Sequence, residues 1–78
     1  MNYIQVTSTN VGFIAYDAST SELHLAFNNN IPNLPWNKCR KYKYADVPAQ
    51  VFEDLKCAES KGTFVYREIA FNYKYEEY

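Results

Sequence analysis

The chain has 78 residues, with eight Lys+Arg against nine Asp+Glu and a net charge of -1. A chain of this length buries only about 60% of the surface its unfolded form exposes, which leaves one domain, residues 1–78, and excludes a large multi-substrate enzyme. At 47% hydrophobic and 22% charged it lies inside the globular range, and its slightly acidic balance disfavours a partner that is a long polyanion.

The first residues, Met1-Asn2-Tyr3-Ile4-Gln5-Val6, contain no basic segment followed by an apolar run, and nowhere is there an apolar stretch long enough to span a bilayer. A cytoplasmic protein without membrane contact is expected. Val11 to Asp17 and Glu22 to Phe27 suit two strands, joined by the polar turn Ala18-Ser19-Thr20-Ser21. In the second, Leu23, Leu25 and Phe27 recur with a period of two, so that face is buried; Glu22, His24 and Ala26 take the other, which makes His24 a surface residue.

Asn28 to Cys39 follows as an irregular stretch where a tight turn would suffice, and it holds the only Trp, Trp36. Long connections without structure of their own are often functional. A third strand, Arg40 to Tyr44, points Tyr42 and Tyr44 one way and Lys41 and Lys43 the other. Pro48, favoured at the first helical position, starts a helix whose apolar stripe is Val51, Phe52, Leu55 and Ala58. Ser60 caps a second short helix through Phe64, Val65 and Ile69, and the tail alternates Phe71, Tyr73 and Tyr75 in an extended pattern packed on the sheet. The expected class is α+β: a small antiparallel sheet of three to four strands packed against one or two short helices.

Cys39 and Cys57 lack C-x-x-C spacing, and with the single His24 they are too few for a structural zinc site; no metal or cofactor is expected. Both cysteines read as reduced thiols, with a Cys39–Cys57 bridge as the alternative.

The ordered set Ser8-Thr9, Ala15-Tyr16-Asp17, Leu23-x-Leu25-x-Phe27, Tyr42-x-Tyr44-x-x-Val47-Pro48, Ala58-x-Ser60-x-Gly62-x-Phe64 and Ile69 resembles the KTSC family over nearly the whole chain. Such domains stand alone in bacteria and phages and also end some lysyl-tRNA synthetases. The resemblance implies an α+β domain with a central Y-x-Y motif, and RNA binding is the role suspected for the family. Two departures stand out: Ile31 to Cys39 replaces the usual short turn before Y-x-Y, and Ala70 stands where a basic residue often follows the Ile, with Arg67 one turn earlier as the nearest substitute.

Tyrosine dominates the composition: eight Tyr, five Phe and one Trp make 18% of the chain. Lys38, Arg40, Lys41 and Lys43 interleave with Tyr42 and Tyr44. Rings that stack on bases beside cations that meet phosphates suit a nucleotide, whereas lysines guarding an edge strand over two core tyrosines would explain the same pattern. Ser60-Lys61-Gly62 reads either as an anion site at a helix start, supported by Lys61 and Arg67, or as an ordinary cap followed by a packing glycine. Trp36 is a stacking lid or a cover for the core. No nucleophile motif surrounds His24, so an enzyme is not expected.

The leading expectation is a non-enzymatic nucleotide-binding module, of the kind with which a phage sequesters a cyclic or linear signalling nucleotide and so evades anti-phage defence. Trp36, Tyr42 and Tyr44 would stack on bases, Arg40, Lys43, Lys61 and Arg67 would meet phosphates, and Ser60 and Gly62 would complete the site in a homodimer. The alternatives are an RNA-binding domain and a protein-interaction module.

Overall fold

The computed structural model describes residues 2–78. Five strands, β1 (Ile4–Gln5), β2 (Val11–Asp17), β3 (Glu22–Phe27), β4 (Arg40–Tyr44) and β5 (Tyr75–Glu77), form one antiparallel sheet in sequence order. Three of these, β2, β3 and β4, have the bounds expected from the sequence. The count of three to four strands is corrected to five, because the outermost pairs are too short for periodicity to reveal them: β1 has two residues and β5 three. Each exists through its neighbour, Ile4 opposite Ile14 and Tyr75 opposite Tyr44.

Helix α1 (Ala49–Cys57) starts after Pro48, which occupies the cap position and not the first turn. Helix α2 (Lys61–Phe64) starts at Ser60, whose hydroxyl accepts from the Thr63 N–H, and runs on into a π-helical turn, Val65–Ile69. This wider turn carries Val65 and Ile69 inward and leaves Tyr66 and Arg67 outside.

One face of the sheet is covered by the helices. Ile14, Leu23, Leu25 and Tyr44 meet Leu55, Val65 and Ile69 in a single cluster, with Phe52 stacked on Tyr16 at 5.4 Å between ring centres. Tyr16 closes that side by donating its hydroxyl to the Val47 carbonyl at 2.6 Å.

The opposite face has no helix, yet it is not simply polar. His24 is 7% exposed, so its expected surface position is overturned. Tyr78 and Tyr3 pack edge-on to the imidazole, the Tyr78 hydroxyl lies 2.8 Å from His24 Nδ1, and the Tyr3 and Tyr78 hydroxyls share a hydrogen bond. Periodicity identified the side of the sheet but not that the two ends of the chain cover it.

Candidate functional site

The segment before β2 and the loop after β3 are tied together, and that union shapes the surface. Gly12 is the extra residue of a bulge between Val11 and Phe13 that breaks the β2–β3 register. Beyond it the Asn28 N–H donates to the Asn10 carbonyl at 2.9 Å, and the buried Asn28 side chain donates to the Ser8 carbonyl and accepts from the Asn30 N–H. Asn29, Asn30 and Asn33 all adopt positive φ, a conformation that asparagine tolerates better than most side chains. The long loop is therefore built by asparagines that hold it against residues 8–10.

Three depressions line up along this seam. The first, about 330 Å³, is aromatic: Phe27, Tyr42, Phe71 and Tyr75 line it with Arg40 and Asn10. Tyr42 meets Phe27 edge-on at 5.5 Å and Tyr75 at 5.7 Å, while Phe71 and Tyr75 are 79% and 58% exposed and offer open ring surface. The second, a groove of about 1120 Å³, begins at the same Asn10 and runs between Thr7–Asn10 and α2, with Ser60, Gly62, Tyr66 and Arg67 on its walls and Glu59 beside them. The third, about 380 Å³, shares Thr7, Ser8 and Pro32 with the second and ends among Gln5, Asn28 and Asn33.

The residues singled out in the sequence fall into separate places. Arg40, Tyr42 and Tyr44 come together at the aromatic cleft, although Tyr44 is 4% exposed and serves the core. Burial pushes its hydroxyl pKa up to about 12, with Tyr42 and Tyr75 adding to the shift. Ser60, Gly62 and Arg67 share the second groove. Gly62 faces Asn10 and Ser8 with room for a methyl group in ordinary contact, so close packing does not demand glycine there.

Lys61 turns away and donates to the Lys56 and Ala58 carbonyls at 3.2 and 2.9 Å, closing the end of α1. Lys43 lies on the helix-free face, 3.7 Å from Glu76 and in register with His24. Trp36 is on that face too, 5.3 Å from the Tyr3 ring with the Lys41 ammonium 4.4 Å from its own centre. Lys41 also donates to the Trp36 and Cys39 carbonyls.

Electrostatics follow this arrangement. Arg40 makes a two-pronged pair with Glu77, at 2.9 and 3.0 Å, which holds the Glu77 carboxyl below its usual range and raises the guanidinium still higher. Lys56 pairs with Glu53. Among the described residues Arg67 has no ion-pair partner, and it lines the second groove. Both cysteines are free; Cys39 is buried, which raises its thiol pKa, and Cys57 is exposed. No group of three or more His, Cys, Asp or Glu among the described residues is placed to hold a metal ion, and no described helix is long and apolar enough to cross a membrane.

Sequence reasoning missed Asn10, Phe71 and Tyr75 as groove residues. Phe71 and Tyr75 were visible only as an alternating tail, and no sequence signal singled out Asn10, since its role depends on what packs to either side of it.

The KTSC domain model matches residues 7–73. The chain is also similar to the crystal structure of a KTSC domain protein from Yersinia pestis, with a TM-score of 0.84, 22% sequence identity, and coverage of 99% of this chain and 96% of that one. At that identity the likeness speaks for the fold alone. No curated protein matches the chain.

Proposed function

We propose that this chain, which belongs to the KTSC family, is a non-enzymatic module that binds a small nucleotide in the seam between its sheet and α2. The observation that carries the reading is the junction at Asn10, where an open aromatic cleft holding Arg40 continues into a groove holding the unpaired Arg67. A base stacked on Tyr75 and Phe71 would place its phosphate toward Arg67, and base–ring stacking contributes roughly 1–3 kcal/mol per base. The stacking role moves from Tyr44 and Trp36 to Tyr75 and Phe71, because Tyr44 is buried and Trp36 lies on the helix-free face, away from the seam.

The same accounting favours a short ligand over RNA. Of the eight basic residues, Lys43 and Lys56 sit in ion pairs, Lys41 and Lys61 donate to carbonyls, and only Arg40 and Arg67 line the seam. Few cations remain for a row of phosphates, each of which would add to the salt dependence of binding. Each groove opens to solvent, so a second copy laid over it would supply the missing wall, and the proposal includes a homodimer in a cytoplasmic, sequestering role.

The test is a thermal-shift titration against cyclic dinucleotides, cyclic trinucleotides, ADP-ribose-type signals and a short RNA at two salt concentrations. Saturation with one small nucleotide at about a hundred times its dissociation constant adds roughly 2.7 kcal/mol, a shift of roughly 10–20 °C for a domain this size. Arg67→Ala should weaken it and Glu59→Gln should strengthen it. A shift with RNA alone, lost at high salt, would transfer the site to RNA, and no shift with any probe would sink the reading.

A further inference from the structure

The third depression has a character unlike its neighbours. Its walls are Gln5, Thr7, Ser8, Asn28 and Asn33, with Phe13, Pro32 and Leu34 between them, and no charged side chain lines it. Amides and hydroxyls each donate and accept, so this lining suits an uncharged ring that presents donors and acceptors along one edge. Half-buried Phe13 and Leu34 add apolar contact, whereas Gln5 and Asn33 are exposed and leave their amides accessible. The pocket is not isolated, because Thr7, Ser8 and Pro32 belong equally to the groove that holds Arg67.

Along the seam the surface therefore reads aromatic cleft, a groove carrying Arg67 with Glu59 beside it, and neutral amide pocket. That order matches base, phosphate, base. We infer that the amide pocket is a second base subsite, and that the ligand class is a dinucleotide whose first base stacks at Tyr75, whose phosphate faces Arg67 and whose second base is read by Gln5 and Asn33. This rests on the nucleotide-binding reading above and deepens it. Asn28 has a different part: its amide is engaged with Ser8 and Asn30, so it holds the pocket's shape.

The test compares linear and 3′,5′-cyclic diadenylate and diguanylate with AMP and GMP by isothermal titration, on the full chain and on a Gln5→Ala/Asn33→Gly double variant. Glycine at position 33 removes the amide while keeping the positive φ of 61°. At least one dinucleotide should bind the native chain roughly tenfold or more tightly than its mononucleotide, as expected for one or two added hydrogen bonds of about 1 kcal/mol each. In the double variant that dinucleotide should fall to the affinity of the mononucleotide, which itself stays unchanged. Mononucleotide binding with no dinucleotide preference, or a preference that survives the double substitution, would overturn the second subsite and leave the nucleotide reading standing. Binding of neither class would overturn both. An unchanged melting temperature in the double variant separates a lost contact from a lost fold.

Discussion

The two faces of the sheet, built from alternate residues of the same strands, are stabilised in different ways. On the helix side, Ile14, Leu23, Leu25 and Tyr44 lie under α1 and α2 and are almost fully removed from water. On the other side His24 and Ala26 are also buried, but beside Tyr3, Tyr78 and Trp36, single side chains drawn from the chain ends and the long loop, with Lys41 of β4 opposite Ala26 and its ammonium over Trp36. A helix covers its face as one cooperative unit. A set of separate aromatic caps covers its face piecemeal, so each cap can be removed with a smaller, local loss.

That contrast is broken most severely from the helix side. Leu55→Ala leaves a void where α1 meets the sheet and should cost roughly 2–5 kcal/mol in urea denaturation, against a clearly smaller loss for Trp36→Ala on the helix-free face. Equal losses would refute the distinction. Tyr16→Phe removes the hydroxyl that ties β2 to Val47 and leaves the carbonyl of this buried residue without its donor, an expected loss of about 1–3 kcal/mol by the same measurement.

The helix-free face is probed through pH. Burial lowers the His24 pKa below its usual 6.5, against the opposing pull of Glu22, with Lys43 helping to lower it and Asp17 to raise it. The unfolded chain then takes up the His24 proton before the folded one does, so stability falls as pH drops below 6.5. His24→Gln should flatten the melting temperature in that window, and an unchanged pH profile would mean that the imidazole is not sequestered. The smallest effect on stability is expected from Arg40→Gln, because its pair with Glu77 is exposed to solvent and contributes little. Nucleotide affinity should nevertheless fall, and that split between melting and binding would assign Arg40 to the ligand at the aromatic cleft.

The internal strands and both helices were legible because their signals are local. Alternation marks β3 and β4, a polar turn between two strand-like runs marks β2, the apolar stripe marks α1, and Ser60 marks the start of α2. The site was legible only in part. Tyr42, Arg40, Ser60, Gly62 and Arg67 do line the seam, and the strand alternation already sets Tyr42 and Tyr44 against Lys41 and Lys43, without fixing what each side packs against. In three dimensions Tyr42 and Tyr44 face the helices, while Lys41 and Lys43 face Trp36 and Glu76 across the sheet.

The amino-acid sequence by itself determined which residues share a face of β3 and of β4 and where the helices begin, since side-chain direction follows from the backbone period of a few neighbours. It also carried the family pattern from Ser8 to Ile69. Tertiary structure alone decided that β5 would bring Glu77 to Arg40 and Tyr75 to Tyr42, that the chain ends would bury His24, and that Asn10 would join two grooves. Those outcomes depend on pairings between residues tens of positions apart, whose partners are chosen by the whole sheet and by what covers it, and no local window of sequence contains both members of such a pair.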